Sequence, residues 1–329
     1  MARSIRIHAG AGFDRMRLED LPIPEPAASE VRIKVDAFAL NYGDFGLIDG
    51  DYPFLLELPS TFGDEASGVV DAVGPDVTQF EIGDRVGTLP WMNSGYGVNG
   101  EVALVPEYYV TKSPAKLSAN ESASIWITYL TAYYALYTAA KIKADDFILN
   151  CAASSSAGIA ATQLAKIVGA TVIGTTRDQD NVTFIKESGA DHVISTDTDD
   201  VAAALRDITS GNGVRVIYDP VGGDLINQYA NSLARNAIIF LYGSMSGQDS
   251  VVPLNEMILS AAILQPHSVY NYIDDPTQKQ EAIEFITSAM NDGRLTPLVD
   301  RSFSLDNFLD AYKYQWAAKN RRGKILINP

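Results

Sequence analysis

The sequence is poor in the side chains that most often bind metals or form cross-links. Its 329 residues include one cysteine, Cys151, and three histidines, His8, His192 and His267, which lie far apart. A lone cysteine cannot form an intrachain disulfide or a cysteine-based zinc site, and isolated histidines lack the spacing of metal ligands. Carboxylates could still hold a metal, but no pattern in the sequence indicates one. We therefore expect no metal site.

Basic residues and long apolar runs are also scarce. The 25 lysines and arginines are outnumbered by 41 aspartates and glutamates, which gives a formal net charge of −16. Such a surface repels phosphate backbones and anionic lipids, so we expect no nucleic acid or membrane partner. No run of about 18 apolar residues is present, and the first residues lack the apolar core of a secretory signal. We expect a cytoplasmic protein.

The pattern of apolar residues indicates two kinds of structure along the chain. The first 115 or so residues contain short alternating segments broken by Gly, Pro and Asp, which is typical of β-strands. From Asp146 onwards, short apolar runs alternate with helical stretches, which predicts a doubly wound parallel sheet. The predicted strands of that sheet are 147–151, 171–175, 192–194, 214–218 and 238–242.

The ends of the chain are expected to share one domain. A capping box at Ser118–Glu121 predicts the start of a helix that leads towards the parallel sheet. The tail ends in a strand-like segment, KILIN, that can return to the first strands. We therefore predict an α/β protein in which a nucleotide-binding domain, 123–265, is inserted in a catalytic domain made of 1–122 plus 266–329.

A serine-rich turn follows the first strand of the predicted parallel sheet. Its residues are Ser154, Ser155, Ser156, Ala157 and Gly158. Small side chains, hydroxyl groups and backbone N–H groups at a helix N-terminus suit a bound pyrophosphate, so we predict a Rossmann dinucleotide site here. Only Gly158 remains of the usual G-x-G-x-x-G fingerprint, and a packing turn before an Ala-rich helix would give the same pattern.

The end of the second strand bears on which cofactor is bound. An NAD enzyme carries an acidic residue there, which bonds the ribose hydroxyls. This chain has Thr175, Thr176 and Arg177 instead. Two hydroxyls and a guanidinium suit a 2′-phosphate, so the sequence favours NADPH over NADH. The alternative is that Arg177 is an ordinary surface residue.

Further cofactor contacts are expected at the same edge, because ligands of open α/β sheets bind at the carboxyl ends of the strands. Val221 follows the fourth strand, and Gly243 and Ser244 follow the fifth. Thr131 lies in the helix that leads into the nucleotide-binding domain, and Lys324 begins the final strand. We predict that these residues line the cofactor cleft, although Thr131 fits an ordinary interdomain core as well.

Several motifs carry a resemblance to a known family. They are NYGD (41–44), GDEASGVVDAVG (63–74), EIGDRV (81–86), LTAYYAL (130–136), AASSSAGIAATQLAK (152–166), GAD (189–191), YDPVGG (218–223) and RRGKILI (321–327). With this set the chain resembles the quinone oxidoreductase branch of the medium-chain dehydrogenase/reductase superfamily. The resemblance implies a β-rich GroES-like catalytic domain around the inserted Rossmann domain. It also implies a homodimer formed through edge strands of the nucleotide-binding domains, at 238–242 and 261–265.

Zinc-containing relatives of this branch differ from the chain at the metal ligands. They carry a G-H-E motif and a ligating cysteine, where this chain has Gly63-Asp64-Glu65 and Asn41. Aspartate and asparagine do not make a tetrahedral site of nitrogen and sulfur ligands. The resemblance therefore implies a zinc-independent member.

Loss of the metal restricts the chemistry. Reduction of a plain ketone needs a group that polarises oxygen, whereas a quinone or an α,β-unsaturated carbonyl is already electrophilic at carbon. We expect hydride transfer from NADPH to such a conjugated small-molecule acceptor. Asn41 can donate an amide N–H, and Tyr52 has a phenol that can donate a hydrogen bond or a proton. Tyr52 resembles the tyrosine of 2-enoyl thioester reductases, but with 16 tyrosines in the chain a packing role stays open.

Three functions are compatible with the sequence. The favoured one is an NADPH-dependent quinone or enone reductase. A zinc-free alcohol or carbonyl dehydrogenase would use Tyr52 in place of the metal. A non-catalytic NADPH-binding redox sensor would need no donors on the substrate side, so the presence of Asn41 and Tyr52 weighs against it.

Overall fold

The computed structural model describes residues 1–50, 52, 56–91, 95–317 and 320–329. The strands of the N-terminal part are β1 (Ala2–Ile7), β2 (Met16–Leu21), β3 (Glu30–Ala39), β4 (Ser60–Thr61), β5 (Ala66–Val73), β6 (Arg85–Thr88), β7 (Val102–Pro106) and β8 (Val110–Lys112). They are followed by β9 (Phe147–Asn150), β10 (Thr171–Thr176), β11 (His192–Ser195), β12 (Val214–Asp219), β13 (Leu233–Leu241), β14 (Ile263–Pro266), β15 (Val299–Ser304) and β16 (Lys324–Asn328).

Helices cover the sheets and connect their strands. They are α1 (Gly43–Asp49), α2 (Ala119–Ser122), α3 (Trp126–Tyr133), α4 (Ser156–Ile167), α5 (Val182–Glu187), α6 (Val201–Ile208), α7 (Leu225–Ala230), α8 (Leu254–Ser260), α9 (Tyr270–Ile273), α10 (Pro276–Asp292) and α11 (Phe308–Ala317). In the part of the chain that the structure describes, no helix is long and apolar enough to span a membrane.

The predicted parallel sheet is present. Its strand order is β11-β10-β9-β12-β13-β14, and every neighbouring pair is parallel. Both faces are buried: Ile148 packs in a core with α3 and α4, and the next residue, Leu149, packs in a second core with α6 and α7. Strands that are covered on both faces need continuous apolar runs, which explains why they were recognisable in the sequence. The α/β fold class is confirmed.

The fifth strand is longer than predicted, because it begins at Leu233 rather than at residue 238. Residues 233–236 contain two polar side chains and do not form a continuous apolar run. The helix predicted after Ser118 is split into α2 and α3.

The C-terminal tail joins the sheet of the first strands. β16 pairs antiparallel with β3 and parallel with β15, in a sheet ordered β15-β16-β3-β5-β6-β8 with β7 also on β3. Ile325, Leu326 and Ile327 are fully buried there. This pairing brings both ends of the chain to one side of the cleft described below. The domain boundaries at 122/123 and 265/266 stay predictions.

Candidate cofactor and substrate cleft

The serine-rich turn links β9 to α4 at the carboxyl edge of the parallel sheet. Ser155 caps α4, because its Oγ accepts a hydrogen bond from the N–H of Gly158 at 3.0 Å. A Cβ at Gly158 would lie 2.7 Å from the carbonyl oxygen of Ala152, so no side chain fits there. The first-turn N–H groups of Ser156 and Ala157 have no acceptor within the helix, and the helix dipole adds positive potential. The turn can therefore hold an anionic group.

The space beside this turn lies between the parallel sheet and the C-terminal tail. Ser155 forms an isolated parallel bridge with Gly323, the residue before β16. Ser154, Ser155, Ser156 and Ala157 are all partly exposed, so their polar groups are accessible next to the tail. We call this space the strand-end cleft.

The loops after β12 and β13 lie at the same edge. A Cβ at Gly243 would be 2.7 Å from the carbonyl oxygen of Pro220, so the two loops are in contact. Val221 and Gly243 are partly exposed and Ser244 is exposed. The structure thus brings these three residues to the edge where the serine-rich turn lies, and their contact with a cofactor stays a prediction.

The residues at the end of β10 have different environments. Thr175 and Thr176 are buried, and their hydroxyls are engaged within the protein, with the N–H of Ala152 and with the backbone of Asp178 respectively. Arg177 is exposed. Of the three residues predicted to hold a 2′-phosphate, only Arg177 offers an accessible charged group, and the two threonines brace the turn.

Two further arginines, which the sequence interpretation did not single out, lie near Arg177. Burial lowers the pKa of Arg321, and the nearby positive charge of Arg177 lowers it further, although Asp300 opposes the shift. Arg322 donates to the carbonyl oxygen of Asp180 at 3.0 Å and packs over the ring of Phe184. The signal available in the sequence was a pair of consecutive arginines, Arg321 and Arg322, in an otherwise acidic chain.

A buried ion pair lies beneath the substrate side of the cleft. Nζ of Lys324 is 2.6 Å from Oε2 of Glu65, and the two side chains are 2% and 0% exposed. Nζ also donates to Oδ1 of Asn41 at 2.5 Å, and Nδ2 of Asn41 donates to the same Glu65 oxygen at 3.1 Å. The other carboxylate oxygen accepts from the N–H of Ile127 at 2.9 Å. We call these residues the Asn41–Glu65–Lys324 cluster.

The cluster changes the interpretation of Lys324 and Asn41. Lys324 is buried in an ion pair, and Glu65 compensates its charge there. The predicted contact of Lys324 with a cofactor stays a prediction. Asn41 is partly exposed, and its amide is fixed with Oδ1 towards Lys324 and one N–H towards Glu65. Its second amide N–H can be offered to a ligand.

Thr131 is buried in α3 rather than open to the cleft. Its hydroxyl donates to the carbonyl oxygen of Ile127 at 2.6 Å, and its own carbonyl oxygen accepts from Nε2 of His267 at 2.8 Å. With these hydrogen bonds, Thr131 has the environment expected of a residue in the interdomain core. Its predicted contact with a cofactor stays a prediction.

Tyr52 lies against α1, close to Asn41. A Cβ at Gly46 would be 2.9 Å from Cδ2 of the Tyr52 ring, so the ring sits where α1 carries no side chain. The hydroxyl of Tyr52 is hydrogen-bonded to Tyr270, whose own hydroxyl donates to Oδ2 of Asp64 at 2.7 Å. Tyr52 was predicted from the sequence. Tyr270 was not, because no local pattern connects it with Asp64.

The carboxyl groups around this site have unusual acidities. Burial raises the pKa of Asp44 to about 8 and that of Asp64 to about 7. Burial also raises the pKa of Tyr52, so that residue is a neutral phenol in the ordinary pH range. The site thus offers neutral hydrogen-bond donors to a substrate oxygen.

Comparisons with known proteins give the family. A family model described as the alcohol dehydrogenase GroES-like domain matches residues 27–115, and one described as zinc-binding dehydrogenase matches 157–288. Quinone oxidoreductase 1 of Escherichia coli (strain K12) is 31% identical over 297 residues, which cover 89% of each chain. The chain belongs to the quinone oxidoreductase-like branch of the medium-chain dehydrogenase/reductase family.

Other members of this branch match over the whole chain. A 2-haloacrylate reductase from Burkholderia sp is 29% identical over 336 residues, covering 100% of this chain and 99% of that protein. The crystal structure of E. coli quinone oxidoreductase complexed with NADPH has a TM-score of 0.91 and 28% identity, with both chains covered completely. The fold and chain length of this quinone oxidoreductase-like protein are therefore those of its branch.

The residues of this quinone oxidoreductase-like chain do not fit a zinc ion. Asn41 and Glu65 are both bonded to the ammonium group of Lys324, so a cation already neutralises this position. Oδ2 of Asp64 accepts a hydrogen bond from Tyr270. Among residues 1–50, 52, 56–91, 95–317 and 320–329, no group of three or more His, Cys, Asp or Glu side chains is placed to hold a metal.

Proposed function

We propose that this chain, an NADPH-dependent oxidoreductase of its family, reduces quinones or the activated C=C bonds of α,β-unsaturated carbonyls without zinc. The observation that carries the proposal is the Asn41–Glu65–Lys324 cluster. It puts a lysine ammonium on Asn41, which stands at a metal-ligand position of zinc-containing relatives. Tyr52, whose ring packs on α1, is a neutral donor on the same side.

The strand-end cleft suits the cofactor. When bound, NADPH supplies the hydride. Residues 154–158 would bind its pyrophosphate through N–H and hydroxyl groups, and Arg177 and Arg321 would bind its 2′-phosphate. Two neighbouring guanidiniums are a local positive site in a chain of net charge −16, and a bound phosphate would relieve their mutual repulsion. The NADPH complex of the E. coli relative supports this assignment.

The substrate side suits a conjugated acceptor. When hydride adds to the carbon β to a carbonyl group, negative charge develops on the carbonyl oxygen. The amide N–H of Asn41 and the hydroxyl of Tyr52 are donors for that oxygen, and the cluster fixes the Asn41 amide before the substrate binds. The relatives named quinone oxidoreductase and 2-haloacrylate reductase support this class, since a quinone and a haloacrylate are both conjugated acceptors.

The proposal is tested by measuring NADPH consumption with a panel of quinones, enones and simple ketones. We expect turnover of the conjugated acceptors, with NADPH preferred over NADH, and at most trace activity with simple ketones. Tyr52→Phe should lower kcat for enones by about 100-fold, within the range for loss of a general acid. Metal analysis should find no stoichiometric zinc, and chelators should leave the rate unchanged.

Two outcomes would favour the alternatives. Reversible oxidation of simple alcohols with NADP would indicate a zinc-free alcohol dehydrogenase. Tight binding of NADPH with no turnover of any acceptor would indicate a cofactor-binding sensor.

We further propose that the protein is a homodimer joined through β14. Residues 238–242, also predicted to be an edge strand, belong to β13, which pairs with β12 and β14 and is not at the edge. Strand β14 is at the edge of the parallel sheet, and Ile263 on it is 55% exposed. Ile258 and Leu259 on the neighbouring helix α8 are also exposed, which gives an apolar surface beside an unpaired strand edge. A cytoplasmic location fits the single, buried cysteine.

A further inference from the structure

Tyr52, Tyr270 and Asp64 form a continuous line of hydrogen bonds on the substrate side of the cleft. The hydroxyl of Tyr270 donates to Oδ2 of Asp64 at 2.7 Å, and the hydroxyl of Tyr52 is bonded to Tyr270. All three residues are partly exposed. The line therefore connects the Tyr52 phenol with the carboxyl group of Asp64.

Both ends of the line are held in place. The ring of Tyr52 packs on the bare backbone of α1 at Gly46. The main-chain carbonyl of Asp64 accepts from Oγ1 of Thr88 at 3.0 Å, which fixes the backbone of the segment between β4 and β5 that carries the carboxyl group. A proton relay requires its donor and acceptor oxygens to stay within hydrogen-bond distance, and fixing both ends of the line maintains that distance.

We propose that Asp64 and Tyr270 resupply the proton that Tyr52 donates to the reduced acceptor. This inference rests on the proposed function. Hydride addition to the β-carbon leaves an enolate, and the enolate takes the proton of the Tyr52 hydroxyl. When Asp64 is protonated, its O–H donates to the Tyr270 oxygen instead of accepting from it, and the Tyr270 hydroxyl donates to Tyr52. The proton of Tyr270 then moves to the Tyr52 oxygen, and that of the Asp64 carboxylic acid moves to Tyr270. Asp64 then takes one proton from water, so that one hydride and one proton are consumed per acceptor.

The groups that face Asp64 are compatible with this role. Burial is the main cause that raises the pKa of Asp64 to about 7, and the Glu65 carboxylate raises it as well. The hydrogen bond from Tyr270 and the charge of Lys324 lower it. Asp44, on α1, is a further acidic neighbour. A protonated Asp64 is therefore available near neutral pH, which an exposed aspartate would not provide.

The environment of Tyr52 explains why a resupply line is needed. Burial raises the pKa of Tyr52, and the charges of Asp64 and Asp44 raise it further. Proton donation would leave an unfavourable phenolate at Tyr52. A neighbouring hydroxyl that returns a proton to Tyr52 restores the neutral phenol. Tyr270 is the group bonded to it.

Two variants separate the relay from the rest of the site. Tyr270→Phe removes the middle hydroxyl, and Asp64→Asn keeps an oxygen acceptor for Tyr270 but has no acidic proton. Tyr272→Phe is the matched control, because Tyr272 lies on the same short helix and its hydroxyl is bonded to Gln265. Each is assayed with an enone, which needs a proton at carbon, and with a quinone, whose hydroquinone anion can be protonated by water.

We expect Tyr270→Phe and Asp64→Asn each to lower kcat for the enone at least 10-fold, with less than a two-fold change for the quinone. The KM for NADPH should not change. The wild-type enone rate should decline as pH rises through about 7, and Asp64→Asn should lose that decline. Wild-type enone rates in both variants, or equal losses with both acceptors, would overturn the relay. Failure of the wild-type protein to reduce either acceptor would instead reject the proposed function.

Discussion

At the scale of single residues, buried carboxyl groups make stability depend on pH. Oδ2 of Asp44 accepts from the N–H of Asn41 at 2.9 Å, which favours its charged form, yet burial prevails and raises the pKa of Asp44 to about 8. An aspartate in the unfolded chain titrates near 4. Between these values the folded protein binds the additional proton, so the free energy of unfolding falls as pH rises from about 4 to about 8.

Asp44→Asn should weaken this dependence. The side chain keeps an oxygen acceptor for the N–H of Asn41 but no longer loses a proton, so we expect the decrease in unfolding free energy between about pH 5 and pH 8 to shrink by at least about 1 kcal/mol. Urea denaturation at several pH values measures how the unfolding free energy changes with pH. Asp36→Asn, at an exposed position on β3, should leave the slope unchanged. A slope in Asp44→Asn equal to that of the wild type would contradict the assignment.

Single residues also show why the substrate side was only partly predictable. Asn41 and Tyr52 follow from a resemblance of motifs, but Tyr270 bonds Asp64 across 206 positions, and no spacing rule connects them. Lys324 was predicted to reach the cofactor cleft from its place at the start of the final strand, and its ion pair was not foreseen. Its burial depends on Glu65, which a distant part of the chain supplies.

At the scale of elements, α4 is the part of the cofactor site that the sequence defined best. Its N-terminus lies at the serine-rich turn because Ser155 caps it and Gly158 allows the turn to pack closely. The strands β9, β10 and β12 were recognisable because each is a short, largely apolar run buried on both faces. By contrast, β15 has the sequence VDRSFS, and it is a strand only because β16 pairs with it. A polar edge strand of that kind has no local signal.

Removal of the α4 cap should affect both stability and cofactor binding. Ser155→Ala loses the bond to the N–H of Gly158, and we expect a loss of about 1 kcal/mol in unfolding free energy and a several-fold higher KM for NADPH. The matched control is Ser118→Ala, which removes the cap of α2 outside the strand-end cleft. Ser118→Ala should lower the unfolding free energy by a similar amount and leave the KM for NADPH unchanged. An equal rise in KM in both variants would show that the turn has no specific part in binding.

At the scale of the whole molecule, an acidic surface surrounds a small number of basic groups that face the cleft or are buried beneath it. The net charge is −16, yet Arg177 and Arg321 are close together and Lys324 neutralises Glu65. Charge of this sign keeps the protein away from polyanions, so an anionic cofactor must be bound by local donors. The apolar surface on α8 and β14 is the exception to the acidic exterior, and we assign it to the dimer.

Ile263→Lys should convert the dimer to a monomer. A lysine on the edge strand would place a charge in the apolar contact, which natural proteins use to prevent strand pairing. Sedimentation at micromolar concentration measures the change. Ile82→Lys is the control, because Ile82 is also exposed but lies in a turn between β5 and β6. A wild-type protein that sediments as a monomer would remove the basis for this assignment.

The most direct test of the account follows a labelled hydride. The protein is supplied with NADPH that carries deuterium at both C4 positions of the nicotinamide and with an enone, and the product is analysed by mass spectrometry. The account predicts one deuterium at the β-carbon of the saturated product for each NADPH consumed, in a protein free of zinc. A product without deuterium, or a rate that requires added zinc, would contradict it.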